Sequence, residues 1–222
     1  MNRVEIKESA KQKIKGNIWN LIWPLLVIGV LEGIVNRICG VDATSSLVNI
    51  DVSNLDVNAI AESSKASYSP VSFLITLVFS IINVGYLKYV LNFVRNGKFE
   101  FNDIIDCIKE KWLNILIVSL IIRILIGLGM VLFIVPGIIL ALGLTMASLI
   151  VIDTDLGPID AIKKSWNMMK GYKWNYLVFI LSFLGWIVLS PFTLFILLIW
   201  LIPYMTVSEV LYYEKLKDIK KD

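Results

Sequence analysis

Gly157–Asn175 reads G-P-I-D-A-I-K-K-S-W-N-M-M-K-G-Y-K-W-N, and the pattern of this stretch recurs elsewhere in the chain. Pro158 suits the first position of a helix, Asp160 suits its positive end, and Gly171 suits its termination. One arc of the helix is apolar and consists of Ile159, Ile162, Trp166 and Met169. The opposite arc is polar and consists of Lys163, Lys164, Asn167 and Lys170. The stretch predicts an amphipathic helix that ends at Lys170-Gly171, followed by an apolar run from Trp174.

The composition indicates a membrane protein. The 222 residues are 57% hydrophobic and 18% charged, with a mean hydropathy of +0.76. Ordinary soluble domains are about 45–50% apolar and about 25% charged. Because the apolar excess lies in long blocks, it favours several membrane spans over one large soluble core.

The apolar blocks predict six spans. Ile18–Asn36 and Pro70–Val94 each have the length of one span. Leu113–Ile152 has 40 residues and Trp174–Tyr213 has 40, so each must fold back, since such a helix would be about 60 Å long against a hydrocarbon core of about 30 Å. The predicted turns are Val135-Pro136-Gly137 and Ser190-Pro191.

A short motif before three of these runs predicts an internal repeat. Lys15–Ile22 and Lys170–Leu177 share the pattern K-G-x-x-W-N-x-L/I, and Lys109–Leu116 is a looser copy. The residues that would anchor the repeat at the membrane boundary are Lys15, Trp19, Asn20, Trp112, Trp174 and Asn175. Each copy ends an amphipathic helix and begins a pair of spans.

We therefore expect an all-α membrane protein of six transmembrane helices in three hairpins, each preceded by a cytoplasmic amphipathic helix. The chain would form a single integral membrane domain, 1–222, with repeat units of roughly 1–94, 99–152 and 157–213. An extracytoplasmic loop would cover 39–69. The first and second amphipathic helices are expected at Met1–Lys15 and Phe101–Trp112, on the membrane surface. The charged end, Glu214–Asp222, is expected to fray in solvent.

The distribution of basic residues predicts the orientation. With six spans, 18 of the 21 Lys and Arg residues fall on one side. Arg37 and Lys65 fall on the other side, and Arg123 lies within the bilayer. The positive-inside rule then places both termini in the cytoplasm of a multi-pass plasma-membrane protein.

Three ionisable residues are predicted to lie inside the membrane: Arg123, Glu209 and Glu32. A charge near the midplane is costly, so Arg123 needs a partner or a wet cavity. We expect Glu209 to be the partner, because the third and sixth spans can both occupy the bundle centre, and Glu32 is the alternative. The group is either a structural ion pair or a site coupled to a proton or a substrate.

The expected partners are membrane lipids and either a membrane or a cytoplasmic protein, with no nucleic acid. The surface predicted to contact them at the membrane boundary consists of Lys163, Lys164, Trp166, Lys170, Lys173 and Trp174. The simpler interpretation is that these aromatic and basic residues only fix the depth of the spans.

No sequence motif predicts catalysis, a metal or a cofactor. The chain has no histidine, and Cys39 and Cys107 are expected on opposite sides of the membrane. Asp153 and Asp155 flank a helix entry and are interpreted as turn and cap residues. We therefore expect a protein that is not an enzyme.

Several segments resemble an uncharacterised bacterial multi-pass membrane family, common in Gram-positive bacteria, that is catalogued as a domain of unknown function. The segments are Pro136–Ile139, Asp160–Trp166, Met169–Trp174 and Ser182–Trp186, with Asn2-Arg3, Ala10-Lys11, Lys15–Trp19 and Leu201–Tyr204. The resemblance implies a plasma-membrane location and supplies no catalytic residues. A more distant similarity is to the membrane domain of some glycerophosphodiester phosphodiesterases, whose catalytic domain this chain lacks. Ser190–Thr193 stands where the family has a glycine-rich turn.

The sequence leaves three functional interpretations open. The first is a non-enzymatic accessory or scaffold protein that acts on envelope components or beside an export or resistance system. The second is a small transporter or channel-like protein that uses Arg123 with Glu209 or Glu32. The third is a membrane enzyme that modifies lipids.

Overall fold

The computed structural model describes residues 2–39, 70–193 and 196–220, and every regular element in those ranges is helical. The loop predicted over 39–69 lies, beyond Cys39, outside the described residues. The α-helices are α1 (Arg3–Ile14), α2 (Ile18–Ile38), α3 (Pro70–Asn96), α4 (Asn102–Leu132), α5 (Ile134–Leu144), α6 (Ala147–Asp153), α7 (Pro158–Met168), α8 (Lys173–Leu189) and α9 (Ile196–Ile219). A 3₁₀ turn, Pro191–Thr193, follows α8.

Five helical segments of the described chain are long and apolar enough to cross a membrane. They are α2, α3, α4, the consecutive pair α5 and α6, and α9. A sixth is present if α7 and α8, which meet at a bend of 88°, are counted as one span. The prediction of an all-helical chain with several helices apolar enough to span a membrane is therefore confirmed for the described residues, and these helices are compatible with a multi-pass membrane protein.

Glycine decides where an amphipathic helix separates from the span that follows it. Gly16 and Gly171 both have φ +87°, a left-handed conformation that glycine adopts without strain, and each lies in the break between two helices. In the middle copy of the motif, Glu110 occupies the corresponding position, and α4 runs through it without interruption. The separate surface helix predicted over Phe101–Trp112 is therefore wrong: it forms the first part of α4.

The first reversal of direction lies slightly earlier than predicted. The extended residue is Phe133, with φ −159° and ψ 142°, whereas Pro136 and Gly137 already lie in α5. Pro136 is in the first turn, where its missing N–H has no helical partner to lose. Gly137 allows close packing, because a Cβ there would lie 2.8 Å from the backbone nitrogen of Met130. Proline and glycine thus begin the returning helix and do not form the turn.

The second reversal follows Ser190, where α8 ends, as the Ser190-Pro191 pair predicts. The predicted frayed end is wrong, however, because α9 continues as a helix to Ile219. Tyr213 and Leu216 are fully buried, and Lys215 forms an ion pair of 2.5 Å with Glu5 of α1. Packing against α1 therefore stabilises the last turns of α9.

The apolar stripe of α1 packs against protein. Ile6, Ala10 and Ile14, spaced four residues apart, are at most 3% exposed, and α1 contacts α9 along this face. Lys7 donates to the carbonyl of Ser182 at 3.3 Å, and burial lowers the pKa of its ammonium group. The first amphipathic helix is thus bound to the bundle by the face that was expected to lie against lipid.

α7 also packs through an unexpected face. Its buried residues are Ala161, Ser165 and Met168, whereas Ile159 is 59% exposed and Trp166 is 36% exposed. The hydroxyl of Ser165 donates to the carbonyl of Gly143 in α5 at 2.9 Å. Small side chains let the two helices approach closely. Met169 of the predicted apolar arc is also fully buried, whereas Ile159 and Trp166 stay exposed.

The ends of α3, α6 and α9 meet the first part of α4 at one end of the bundle. Arg95, Asp153 and Lys217 are joined there by ion pairs, and Lys111 contacts the end of α6. We call this region the basic end.

Candidate functional site

A groove lined by polar side chains lies between α2, α3, α4 and α6, with a volume of about 360 Å³. We call it the polar groove. Its polar lining residues are Glu32, Thr76, Ser80, Asn83, Ser119, Arg123 and Ser148. Charged and hydroxyl side chains from four helical segments that could each belong to a span thus line this one cavity.

Helical spacing explains how the groove is assembled. Thr76, Ser80 and Asn83 are four and three residues apart, so they share one face of α3. Ser119 and Arg123 share a face of α4 for the same reason. The spacing of these polar residues is visible in the sequence, but the three charged residues alone do not indicate the groove.

The groove reaches deep into the apolar part of the helices. Counted from Trp112, whose indole suits a membrane boundary, Ser119 lies about 10 Å and Arg123 about 16 Å along α4. Since a hydrocarbon core is about 30 Å thick, Arg123 would lie near its middle if α4 crosses a membrane with Trp112 at the boundary. The polar lining residues of α4 would thus lie between about one third and one half of the way across the core.

Arg123 has few partners in this groove. Its Nη2 donates to the carbonyl of Thr76 at 3.4 Å, and its side chain is exposed. Glu32 is half-buried in α2. Among the described residues neither Arg123 nor Glu32 forms an ion pair. A guanidinium group has five N–H donors, so most of the hydrogen-bonding capacity of Arg123 is open to the groove.

Glu209 does not belong to this site. Its carboxylate accepts from the hydroxyl of Tyr176 in α8 at 3.2 Å. The expected pair of Arg123 and Glu209 is therefore not formed, and Glu32 is the acidic residue that shares the groove with Arg123. The sequence gives the approximate depth of each residue but does not show which helix neighbours α4.

The strongest electrostatic cluster, which the sequence did not indicate, surrounds Asp153. The Asp153 side chain is 4% exposed and is contacted by Arg95 Nη1 at 2.5 Å. It also accepts from the Tyr213 hydroxyl at 2.8 Å and from Lys217 Nζ at 2.6 Å. Arg95 Nη2 further contacts Glu214 at 2.6 Å. Asp153 thus joins α3, α6 and α9, a larger role than the turn residue that we expected.

Lysines complete the same region by capping α6. Lys88 Nζ donates to the carbonyl of Ile152 at 3.3 Å, and Lys111 Nζ donates to the carbonyl of Thr154 at 2.8 Å. Cations at a helix C-terminus satisfy its free carbonyl groups and its dipole. We therefore assign this cluster a structural role.

The predicted boundary surface of α7 is divided between two faces. Lys163 and Trp166 line a groove with α4 and α5, whereas Lys164 lines a cavity with Lys217 of α9 and with Lys220, which follows α9. Lys173 Nζ lies 3.0 Å from the ring centroid of Trp166. The exposed members of the set are Lys163, Lys164, Trp166, Lys170 and Trp174.

The repeat anchors show two kinds of environment. Trp19, Trp112 and Trp174 are at least 50% exposed. The two asparagines contact tyrosines: the carbonyl of Asn20 accepts from Tyr89 at 2.9 Å, and Asn175 Oδ1 accepts from Tyr212 at 3.3 Å. The asparagine positions of the repeat therefore join helices, while the indoles face outward. Lys15 borders a further cavity with Trp200.

Among the residues that the structure describes, no cluster of Cys, Asp or Glu side chains could hold a metal ion. Cys39 is exposed, Cys107 is buried, and both are free thiols.

A protein-family model described as "Protein of unknown function (DUF975)" matches residues 1–152 and 134–220. The chain belongs to this family. Searches of the curated proteins and of the solved structures gave no match. The membership agrees with the resemblance noted from the sequence and assigns no activity to the family.

Proposed function

We propose that the polar groove is a hydrated binding site for a small anionic or zwitterionic solute, and that the protein is a non-enzymatic, transporter-like membrane protein. The observation that carries this proposal is that Arg123 and Glu32 line the same groove and that neither forms an ion pair with any residue that the structure describes. The two side chains come from different helices, α4 and α2, so a solute between them would contact both.

The energetic argument concerns Arg123. A charged side chain at the centre of a bilayer costs about 2.5 kcal/mol or more, unless water or an opposite charge compensates it. A purely structural arginine would be expected to have a carboxylate within ion-pair distance, whereas within the described ranges Arg123 has a single long hydrogen bond, to the carbonyl of Thr76. The hydroxyl and amide groups of Thr76, Ser80 and Asn83 offer a polar path along the wall of the groove.

The orientation belongs to the same proposal. The basic end would face the cytoplasm, with both termini on that side, in the plasma membrane of a Gram-positive bacterium. The helices would form three hairpins in a parallel internal repeat, about an axis along the membrane normal. Clustering of Arg95, Lys88 and Lys111 at one end supports this orientation. A distant relation to the membrane domain of glycerophosphodiester phosphodiesterases stays a prediction.

Cysteine accessibility tests whether the groove is hydrated. In a variant without Cys39 and Cys107, Thr76→Cys is expected to react with a hydrophilic methanethiosulfonate reagent, because such reagents need a thiolate in water. The matched controls are Leu74→Cys and Val78→Cys, which flank Thr76 on α3 and are 61% and 55% exposed on the outer surface of the bundle. They should remain unreactive in lipid nanodiscs. If the Thr76→Cys thiol is as unreactive as these controls, the groove is not hydrated and the proposal is wrong.

Charge selectivity tests the role of Arg123 without knowledge of the substrate. The ratio of the rates with an anionic and a cationic reagent is measured at Thr76→Cys. Arg123→Gln is expected to lower this ratio roughly 25-fold, because the loss of a unit charge a few ångströms away shifts each of the two oppositely charged reagents by about 1 kcal/mol, in opposite directions. Glu32→Gln should raise the ratio. If neither substitution changes the ratio, the two charges do not act on the solute in the groove.

An accessory or scaffold role is the second candidate. The extensive contacts around Asp153 favour it, because they would give the basic end a fixed shape for a protein partner. A dry groove, together with an Arg123→Gln variant that folds normally and leaves the cellular phenotype intact, would favour this role over solute binding.

A further inference from the structure

A second groove, on a different side of the bundle, combines an apolar floor with a basic opening. Its floor contains Leu125 of α4 with Leu140 and Leu144 of α5, and its opening contains Lys163, Trp166 and Asn167 of α7. The volume is about 290 Å³. We call it the α7 groove. It shares no described lining residue with the polar groove, so its ligand is independent of the proposed solute.

The opening of the α7 groove can bind an anion. Lys163 is 71% exposed, and its nearest acidic partner, Asp160, lies 3.9 Å away and is itself exposed, so the pair is weak. The side-chain amide of Asn167 adds an uncharged donor. Lys173, held over the ring of Trp166, places a second ammonium group nearby.

The wall formed by Trp166 depends on a glycine in α5. A Cβ at position 143 would collide with the Trp166 ring, so Gly143 allows the indole to pack directly on the backbone of α5. Indoles favour the headgroup region of a bilayer, and Trp166 is still 36% exposed. The opening of the groove therefore lies at the level of lipid headgroups.

The floor begins at the level of the opening. Trp166 packs on Gly143, so Leu144 lies beside the opening, and Leu140 lies three residues from Gly143, about 5 Å further along α5. Leu125 of α4 lines the groove opposite these residues. An apolar groove that continues from an opening with two lysines has the polarity of an acyl chain below an anionic headgroup.

We infer that the α7 groove binds one anionic phospholipid, with an acyl chain along Leu125, Leu140 and Leu144 and the phosphate at Lys163 and Asn167. The site should prefer an anionic phospholipid over a zwitterionic one, because the cationic group of a zwitterionic headgroup is repelled by Lys163.

Native mass spectrometry of the full chain, titrated with phosphatidylglycerol or phosphatidylcholine, tests this inference. The first bound phosphatidylglycerol is expected to bind roughly fivefold to tenfold more tightly than phosphatidylcholine. Lys163→Gln should remove this difference. Lys164→Gln is the matched control, because it removes the same charge from the adjacent residue, which lines the opposite cavity. It should change the affinity less than about twofold.

A second variant tests the apolar floor. Leu144→Trp fills the groove from α5 and should weaken the first phosphatidylglycerol about tenfold, while leaving the charge of the opening unchanged. Equal effects of Lys163→Gln and Lys164→Gln would show general charge attraction and overturn the inference. Equal binding of the two lipids by the unsubstituted chain, or full binding by Leu144→Trp, would overturn it as well.

Discussion

At the scale of single residues, Asp153 illustrates how one carboxylate can connect distant parts of the chain. It accepts from Arg95, Tyr213 and Lys217, which are 58, 60 and 64 residues away in sequence. The three donors compensate the buried carboxylate for its lost hydration. Without Asp153, Lys217 would lose its carboxylate partner, and Arg95 would keep only Glu214 among the described acidic residues. Asp155, two residues later, is fully exposed and contacts only Lys111 among the described residues.

This difference gives a prediction for stability. Asp153→Asn should lower the free energy of unfolding by about 2–4 kcal/mol, because Arg95 and Lys217 lose a buried anion. Asp155→Asn, with the same chemical change, should leave the thermal midpoint unchanged. Thermal unfolding in nanodiscs, followed by circular dichroism, measures both. A similar loss of stability in the two variants would mean that Asp153 does not hold the three helices together.

At the scale of secondary-structure elements, the placement of glycine separates short helices from spans. α1 and α7 are followed by Gly16 and Gly171, each with φ +87°, whereas α4 has Glu110 at the corresponding position and stays continuous. The three copies of the motif therefore produce two different local structures. The glycine permits the break because it alone enters the left-handed region without a steric penalty from a Cβ.

Gly171→Ala isolates this effect. No atom lies within 4 Å of a Cβ built at Gly171, so the variant adds backbone strain without a collision. We expect a loss of about 1–2 kcal/mol in the free energy of unfolding. Gly157→Ala is the matched control, because Gly157 also has open space but has φ −64°, which alanine adopts. The thermal midpoint checks both, and a Gly171→Ala variant as stable as Gly157→Ala would contradict the explanation.

At the scale of the whole molecule, the two grooves and the basic end divide the bundle into distinct regions. The polar groove lies between α2, α3, α4 and α6, while the α7 groove lies between α4, α5 and α7. α4 contributes to both, through Arg123 and Leu125, which are two residues apart and line different cavities. The proposed solute and the proposed lipid would thus contact neighbouring residues of one helix.

The proposed orientation can be tested on intact cells. Cys39 is exposed at the end of α2 and should react with a membrane-impermeant maleimide from outside. Lys170→Cys, in a Cys39→Ser background, should react only after the membrane is permeabilised, because α7 lies near the basic end. Ser165 would be unsuitable for this purpose, since its side chain is fully buried. The opposite labelling pattern would contradict cytoplasmic termini.

The sequence by itself determined the helical class, the potential spans and the approximate helix breaks. These features are local: hydropathy sets the length of a span, and a residue such as Gly171 acts on its own backbone. The turn at Ser190 was predictable for this reason, and the turn at Phe133 was predicted to within a few residues. Of the three copies of the motif, the one in α4 has Glu110 in place of glycine, and this is the copy at which the helix is not interrupted.

Only the tertiary structure decided which helices are neighbours. Depth along a helix made both Glu209 and Glu32 candidate partners of Arg123. The lateral packing of the helices places Glu32 in the polar groove with Arg123, whereas Glu209 accepts a hydrogen bond from Tyr176. The donors around Asp153 come from two other helices, and the periodicity of the sequence does not predict that these helices pack together. The physical reason is that hydropathy fixes the position of a residue along the membrane normal, whereas its neighbours in the membrane plane depend on the packing of whole helices.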